Sequence, residues 1–404
     1  MSFDLLRWFA EVASQDWIWY AKYLAANDTL ATGGHQVGLY IPKVVFGTLF
    51  PTAVSSHTPN PSHTFPAVVA SEGRERVVRA IWYNKRVLGQ GTRDECRITR
   101  WGGQSSDILD PEATGSLCIF AFRLGSTRDA EECRVWLCRD LVEEDIAQDW
   151  LGFVDPGSGA LVSPSGQQLP DVAISEADSP CVLSPERMPA EWLKSFPDPT
   201  ELAARAVSNL PTARRKPPDD RLLLRRDCEY QLFRSVEEVH VFPRVQEGFC
   251  GVDEFVGYAN AVTNRRKSRS GSSLELQVKT ILEEEKLPFS HDAVSEANKR
   301  PDFLFPSADR YRDEGCPPSK LRMLGVKTTC KDRWRQILEE ADRVPYKHLL
   351  TLQRGVSSTQ FKQMNSSGIR LVVPSALHTS YPKEVQGSLL TFADFIAEAR
   401  AACE

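Results

Sequence analysis

Three carboxylates and one lysine in the second half of this chain have the types and spacing that metal-dependent hydrolysis of a phosphodiester needs. Asp302 follows a proline in KRPDFLFPS, and Lys327 stands 25 positions later, at the end of the apolar stretch RMLGV. Glu340 lies 13 residues beyond Lys327, and Glu275 lies upstream of the proline. Carboxylates hold Mg²⁺, and a nearby ammonium orients or activates the attacking water and offsets developing charge. Because Mg²⁺ keeps several waters, only one or two protein carboxylates are needed.

A dense charge cluster follows the lysine. In the stretch KTTCKDRWR, the residues Lys331, Asp332, Arg333 and Arg335 come within eight positions of Lys327. The whole chain has a formal net charge of −5, so this cluster does not reflect a basic composition. Affinity for nucleic acid follows local basic clusters more than net charge, so the mild acidity does not exclude a nucleic-acid partner.

The elements that must position these residues alternate between strand and helix. The helical patterns cover 272–287, 331–343 and 358–368, and the strand patterns cover 301–306, 322–330, 346–353 and 369–375. This alternation predicts a parallel or mixed sheet flanked by helices. At about 100° per residue, Glu275 and Glu340 each fall at the border of an apolar helical stripe, where a carboxylate can reach a site between helix and sheet.

The N-terminal part has a different pattern, mostly short strands separated by Gly, Pro and Asn. After an amphipathic helix at the start, the strand patterns cover 35–46, 75–84, 95–102, 115–124 and 133–140. Several strands at this spacing predict a barrel or a sandwich.

A segment rich in Pro, Ser, Gly and Asp separates the two parts, from about residue 157 to residue 217. This composition is typical of a linker, although residues 200–209 have a helical pattern. The segment is either a long connection or the edge of the second domain. We predict an N-terminal domain over 1–175, a linker over 176–215 and a C-terminal domain over 216–404.

Composition excludes several classes of protein. A length of 404 residues favours two domains, and 41% hydrophobic with 25% charged residues is ordinary for a globular protein. No apolar run approaches the roughly 18 residues of a membrane helix, and the N-terminus lacks the basic and cleavage regions of a signal peptide. The ten cysteines never form CxxC. We therefore expect no zinc site of known spacing, a cytoplasmic protein and reduced thiols.

A resemblance to a known family rests on the motifs above. Pro-Asp followed by a lysine after an apolar strand resembles the PD-(D/E)xK nuclease fold. The usual acid two positions before the lysine is Gly325 here, and Glu340 resembles the displaced acid of restriction endonucleases that read CC–GG sequences. Longer blocks across essentially the whole chain resemble the EcoRII family of type II (IIE) restriction endonucleases: NRRKSR, SLEL, KRPDFLFPSA, VKTTCKDRWRQIL, RLVVPS, ANDTLATGGHQVGLYIP and RITRWG.

This resemblance implies a C-terminal α/β domain of the PD-(D/E)xK type. It would cleave double-stranded DNA at CCWGG, before the first cytosine, with Mg²⁺ as cofactor. Asp302, Lys327 and Glu340 would carry out the chemistry with Glu275 in support, and the three carboxylates would be the metal ligands.

The same resemblance implies the residues of the catalytic domain that contact DNA. Lys331, Asp332 and Arg333 would read the G·C pairs in the major groove, since Lys and Arg donate to guanine and an acid accepts from cytosine N4. Related enzymes flip the central W bases out of the stack, which would explain tolerance of A or T there. Further DNA-proximal positions are Tyr311 and either Arg225 or Arg226, between which helical phase does not decide.

For the N-terminal half, the resemblance implies a B3-like pseudo-barrel with a few helices, an effector domain that binds a second copy of the site without cutting it. The matching DNA-contacting positions are His35, Tyr40, Arg93, Glu95 and Arg97. The alternation of the last three places them on one face of a strand, although the exposed face of a solvated hairpin has the same pattern. Gly91 stands where the family has a lysine, which lowers the expected affinity for effector DNA.

At the level of the whole protein, the family implies a homodimer whose N-terminal domain covers the catalytic cleft. Effector DNA would shift the population towards the open, active state. A cytosine methyltransferase that protects host DNA is the expected functional partner.

Other hypotheses remain open. The chain is alternatively a sequence-specific DNA-binding protein with an inactive nuclease domain, which would need a disabled site. A nuclease of altered specificity is a third hypothesis, against which the intact Lys331–Arg333 run argues. A Tyr311 nucleophile would leave Asp302, Lys327 and Glu340 idle.

Overall fold

The computed structural model describes residues 2–32, 38–55, 57–151, 154, 159–163, 179–296, 299–331 and 333–403, and these form two compact units. Unit 1 comprises residues 1–173 together with 353–361 and 379–387, and unit 2 comprises 174–352, 362–378 and 388–404. The first predicted domain boundary falls outside the described residues, so the predicted limits stay predictions. No described helix is long and apolar enough to cross a membrane.

Unit 1 is built mainly from β-strands. Its helices and strands are α1 (Ser2–Glu11), β1 (Trp17–Tyr23), β2 (Leu39–Ile41), α2 (Lys43–Leu49), β3 (Ser62–Val69), β4 (Glu75–Tyr83), β5 (Glu95–Thr99), β6 (Leu117–Leu124), β7 (Ala130–Leu137), α3 (Leu141–Leu151) and β8 (Ala160–Val162). The strands form one sheet in the order β2-β5-β4-β3-β7-β6-β1-β8. Only β3 and β7 pair in parallel; the other pairs of described strands are antiparallel.

Alternation along the strands gives this sheet two buried faces. One carries a core that includes Phe65, Phe120 and Phe122. The other packs α1 and α3 through residues such as Phe9 and Trp19. The predicted strand over 35–46 is wrong in its second half, because the strand ends at Ile41 and α2 begins at Lys43. Pro42 stands between them and has no N–H to continue a ladder.

Unit 2 is an α/β unit. Its helices and strands, with two that contribute residues to unit 1, are α4 (Ala190–Lys194), α5 (Pro199–Asn209), α6 (Pro218–Glu247), α7 (Val252–Glu284), β9 (Ser290–His291), β10 (Phe303–Phe305), α8 (Ala308–Arg312), β11 (Arg322–Val326), β12 (Lys347–Leu350), α9 (Ser358–Ser366), β13 (Ile369–Val372), α10 (Lys383–Gln386) and α11 (Phe392–Cys403). The sheet order is β13-β12-β11-β10-β9. β11, β12 and β13 run parallel, whereas β9 and β10 are antiparallel to their neighbours. The sheet is therefore mixed, one of the two predicted arrangements.

Residues 179–215 of the predicted linker pack against helix α6. Trp192, Leu202 and Ala206 are buried with Leu232 and Phe233 of that helix in one apolar cluster. This favours the interpretation of the segment as the edge of the second domain. Helix α5 confirms the helical pattern seen over 200–209.

The expectation of reduced thiols is wrong at one pair. Cys181 and Cys228 form a disulfide across 47 positions, which joins the same segment to α6. Sequence spacing gave no indication of it, because the two Cα atoms come within 5.0 Å only when the segment packs on the helix. The other eight cysteines, all within the described part of the chain, form no disulfide.

Candidate active site and nucleic-acid interface

Two antiparallel strands bring Asp302 and Lys327 together. Asp302 immediately precedes β10 and Lys327 immediately follows β11, and these strands pair with Phe303 opposite Leu324. The start of one strand therefore lies beside the end of the other. The Oδ2 atom of Asp302 accepts hydrogen bonds from the backbone N of Val326 at 2.6 Å and from the Nζ of Lys327 at 3.3 Å. This pairing holds the carboxylate and the ammonium at one edge of the sheet.

The third residue, Glu340, reaches the site from a helix of a different type from the one predicted. The expected α-helix over 331–343 is wrong, since the structure has a 3₁₀ helix over Arg333–Glu339. Residues three apart eclipse one another in a 3₁₀ helix. Trp334 and Ile337 are buried, and Glu340, three positions further, donates its backbone N–H to the oxygen of Ile337 at 3.2 Å. Glu340 therefore continues the buried face instead of lying at its border.

The charges of Asp302 and Lys327 both act on the carboxyl group of Glu340, so Glu340 lies near these two residues. Burial raises the pKa of the Glu340 carboxyl to about 7, and the negative charge of Asp302 adds to this rise. The positive charges of Lys327 and Lys347 oppose it. Two carboxylates that repel each other in a partly buried site are a suitable pair of ligands for a divalent cation.

Gly325 explains why the acid is absent from its usual position. A Cβ atom at this glycine would lie 3.0 Å from Cγ2 of Ile337, tighter than ordinary van der Waals contact. An acidic side chain there would push away the 3₁₀ helix that delivers Glu340. Glycine at position 325 therefore allows the helix to pack close to β11, and Glu340, which follows the helix, offers the carboxylate instead.

Glu275 lies on α7 and is held by a histidine that the sequence reasoning missed. The Oε1 atom of Glu275 lies 2.5 Å from Nε2 of His291, on strand β9, which pairs with β10 next to Asp302. The described residues contain no group of three or more His, Cys, Asp or Glu side chains arranged to hold a metal. Glu275 is thus paired with His291 on the strand next to β10.

Residues proposed to contact DNA around this site fall into two groups. Lys331 and Arg333 lie at the start of the 3₁₀ segment that follows β11, and both are partly exposed, while Asp332 is outside the described residues. Arg225 is 1% exposed, and its guanidinium donates to both oxygens of Glu284 at 2.8 and 3.0 Å. Arg226 on the same helix is also buried.

Tyr311 is part of a buried hydrogen-bond network. It is 3% exposed, and its hydroxyl donates to Glu296 at 2.5 Å and accepts from the backbone N of Arg343 at 3.2 Å. Burial and the Glu296 carboxylate raise the pKa of the Tyr311 hydroxyl above its ordinary value. This geometry suits a structural role, one of the two that the sequence left open.

In unit 1, four of the five predicted effector-site residues lie together, and His35 is outside the described residues. Tyr40 on β2 stands opposite Arg97 on β5. Glu95 accepts from Nε of Arg93 at 2.6 Å and from Nη2 of Arg97 at 3.3 Å. Burial pushes the pKa of Glu95 up, but the hydrogen bonds and charges of the two arginines outweigh it and lower the pKa below its ordinary value.

Strand alternation accounts for part of this face. Cys96 and Ile98 point into the core, whereas Glu95 and Arg97 are partly exposed on the other side. Arg93 lies before the strand begins and stacks 3.4 Å above the ring of Tyr83. A polar face with two arginines around one carboxylate can donate to DNA phosphates and bases.

Comparison with known proteins decides the family. Models of the EcoRII C terminal and of the N-terminal domain of the restriction endonuclease EcoRII match residues 233–396 and 13–166. The type II restriction enzyme EcoRII of Escherichia coli is 46% identical over 395 residues, which cover 97% of this chain and 96% of that protein. This chain belongs to the EcoRII family. It is a type II restriction endonuclease, and the expected combination of a sheet-rich N-terminal domain with an α/β C-terminal domain is confirmed.

Solved structures of other restriction endonucleases are more distant from this EcoRII-family chain. The PspGI–substrate DNA complex is 15% identical, covers 55% of this chain and 98% of its own, and has a TM-score of 0.44. Metal-depleted Ecl18kI in complex with uncleaved, modified DNA is 17% identical, covers 55% of this chain and 85% of its own, and has a TM-score of 0.45.

Proposed function

We propose that this EcoRII-family endonuclease cleaves double-stranded DNA at CCWGG, before the first cytosine, with Mg²⁺ as its metal. The observation that carries the proposal is the convergence of Asp302, Lys327 and Glu340 on one sheet edge, within a chain that belongs to the family. The run from Lys331 to Arg333, directly after the lysine strand, would read the G·C pairs.

The residues present fit a magnesium ion. Asp302 and Glu340 offer two carboxylates, and the charge of Asp302 raises the pKa of the partly buried Glu340. When bound, the ion would supply Lewis-acid stabilisation of the phosphate and activation of water. No more than one or two protein carboxylates are needed for it.

The chain's own groups have separate tasks in the reaction. Asp302 fixes the Lys327 ammonium by its 3.3 Å contact and is itself fixed by the backbone of Val326. The ammonium lies where it would offset negative charge on the reacting phosphate. In the metal-free protein the pKa of Glu340 is raised to about 7, and a cation held there would favour its carboxylate form. Glu275, oriented by His291, would support the site from α7.

Regulation and assembly are part of the same proposal. Free enzyme is autoinhibited, and a second CCWGG copy bound by Tyr40, Arg93, Glu95, Arg97 and His35 shifts the population to the active state. The enzyme acts as a homodimer on its palindromic site, in the cytoplasm, with a cytosine methyltransferase protecting host DNA. Lys85 lies against Gly91, with side-chain atoms 3.5 and 3.7 Å from where a Cβ would stand, and offers a cation near the missing family lysine.

Two plasmids test this proposal, one with a single CCWGG site and one with three, incubated with enzyme and Mg²⁺. We expect rapid cutting of the second and slow cutting of the first. Asp302→Ala and Lys327→Ala should abolish both, by at least about a thousandfold, because each removes a group from the reacting centre. Asp309→Ala, which removes a carboxylate with 94% of its side chain exposed, is the matched control and should cut normally.

Each other outcome is informative. Equal cutting of both plasmids would retain the nuclease and remove the effector role. Binding of CCWGG duplexes without any cutting would favour a DNA-binding protein with an inactive nuclease domain. Cutting at another sequence would contradict the proposed specificity.

A further inference from the structure

Two short segments from the C-terminal part of the chain belong to unit 1. Residues 353–361 and 379–387 group with the first 173 residues. The backbone N of Ala26 donates to the oxygen of Ser380 at 2.9 Å, and Asn27 donates to the oxygen of Thr379 at 3.3 Å. Ser357 donates to Glu112 at 2.7 Å. The first two bonds fix residues 379–387 on the loop that follows β1, and the third fixes residues 353–361 at Glu112.

The residues on either side of Arg354 are packed closely against other parts of unit 1. Gly355 has a φ of +121°, and a Cβ there would lie 2.9 Å from Cγ2 of Thr114 and 3.0 Å from the oxygen of Ser380. Gln353 accepts a hydrogen bond from the hydroxyl of Tyr381 at 2.8 Å and packs against Gly115. The position of Arg354 in unit 1 is therefore set from both sides.

The same loop supports Tyr40 of the effector face. Asp28, two residues after Ala26, accepts from the backbone N of Tyr40 at 2.8 Å and pairs with Lys22 at 2.8 Å. The charge of Arg354 is near enough to act on the hydroxyls of Tyr20 and Tyr40. Burial raises the pKa of each hydroxyl, and the Arg354 charge opposes that rise in both.

Arg354 differs from the other cations of this face in its partners. Arg93 and Arg97 are paired with Glu95, and Lys22 is paired with Asp28. Among the residues that the structure describes, no carboxylate forms an ion pair with Arg354, and its Nε is buried without a hydrogen-bond acceptor. A guanidinium in this state can donate to a phosphate without first breaking an ion pair.

We infer that Arg354 is a phosphate-binding residue of the effector face, donating to the backbone of the DNA duplex bound next to Tyr40, Arg93 and Arg97. The inference rests on the proposed function, since it needs effector DNA at unit 1. Arg354 lies within residues 233–396, which match the EcoRII C-terminal model, so the inference adds a residue of that region to the effector site. Arg354 follows Leu350 by four positions, and the oxygen of Leu350 accepts from the backbone N of Lys327 at 3.0 Å. Arg354 thus follows β12, the strand that pairs with β11, and effector occupancy would act on the segment that continues from β12.

The test measures stimulation of the full-length enzyme in trans. A plasmid with one CCWGG site is cut in the presence of increasing amounts of a short CCWGG duplex with non-hydrolysable linkages at the cleavage positions. Arg354→Ala should raise the duplex concentration for half-maximal stimulation about tenfold, the cost of one charge-assisted hydrogen bond. The slope of log affinity against log salt should fall by about one, because one phosphate contact is lost. Arg354→Lys should lie between the two, since it keeps the charge and loses the fork geometry.

Lys362→Ala is the control, because Lys362 is an exposed cation on α9 in unit 2. It should match the wild type in both readouts. An unchanged salt slope and half-maximal concentration in Arg354→Ala would overturn the inference, and so would faster cutting by this variant without any duplex, which would make Arg354 a restraint of the resting state. If the alanine variant does not fold, the lysine variant decides by its intermediate affinity. A wild-type enzyme that cuts but ignores the duplex would refute the effector role itself.

Discussion

At the scale of single residues, Glu340 has surroundings that favour its protonated form, whereas its proposed role needs the carboxylate form. It is buried beside Asp302, which raises its pKa to about 7, yet its carboxylate form is the one a metal ion needs. A carboxyl whose folded pKa exceeds its ordinary value binds protons more tightly in the folded state. Its contribution therefore lowers stability as pH rises from about 4.5 through 7. Such a loss of stability is common at active sites, and a cation at the proposed site would offset it.

Glu340→Gln removes this pH-dependent cost and should stabilise the metal-free protein. In the presence of a chelator, we expect its thermal midpoint to exceed that of the wild type by a few degrees near pH 8, and by little near pH 4.5. Scanning calorimetry or fluorescence melting from about pH 4.5 to about pH 8.5 measures this difference.

Addition of Mg²⁺ is the companion measurement. Near pH 8 it should raise the midpoint of the wild type, because a ligand that binds only the folded state stabilises it, and raise that of the glutamine variant less. A pH-independent difference between the two proteins would show that Glu340 does not titrate in this range, contrary to the prediction.

At the scale of elements, the site depends on how closely the 3₁₀ helix Arg333–Glu339 approaches strand β11. Gly325 allows the side chain of Ile337 to rest against the strand backbone, with 3.0 Å between Ile337 and the place of a Cβ. The helix ends at Glu339, and Glu340 follows it directly. The packing of the helix against β11 at Gly325 therefore sets the position of the Glu340 carboxylate.

Gly325→Ala should displace this helix and lower kcat about 10- to 100-fold, since small misplacements of catalytic groups are costly. The double variant Gly325→Ala, Ile337→Ala should recover part of the loss, because it removes the Cγ2 methyl group that would lie 3.0 Å from the new Cβ. Single-turnover cleavage of a three-site plasmid is the measurement.

Gly257→Ala on α7 is the matched control, because nothing lies within 4 Å of its Cβ position. It should have normal activity. Normal activity of Gly325→Ala as well would mean that the helix adjusts without moving Glu340.

At the scale of the whole molecule, the proposed palindromic target would be cut by a two-fold dimer, and the helices α6 and α7 offer a surface for it. Around their connection, five large apolar side chains are more than 40% exposed: Phe242, Val245, Val252, Phe255 and Val256. Exposed apolar side chains that cluster on one helical hairpin are typical of a protein–protein interface, whereas those of an ordinary surface are scattered singly. A second copy of this chain is the partner that the proposed function provides.

Val252→Asp with Phe255→Asp should shift the enzyme to monomer, and double-strand cutting should fall while nicking persists. Sedimentation velocity gives the state of assembly, and the ratio of linear to nicked plasmid gives the cutting mode. Val142→Asp, which changes a valine on α3 that is 62% exposed, should leave both unchanged. A double variant that stays dimeric would place the interface elsewhere.

The sequence alone determined the family, the residue types of the site and the order of strand and helix around it. Asp302, Lys327 and the strands that carry them were recognisable because a short apolar run and its flanking residues are local features. Glu340 was predicted through an α-helical phase, which is wrong for a 3₁₀ helix, and its role stays a prediction.

Only the tertiary structure decided which side chains meet across long sequence separations. The burial of Arg225 by Glu284, 59 positions away, the contact of His291 with Glu275 and the Cys181–Cys228 disulfide leave no periodic trace in the sequence. The same holds for the placement of residues 353–361 in unit 1. The physical reason is that local patterns record what a residue does within its own strand or helix, whereas ion pairs and close backbone approaches depend on how distant elements pack.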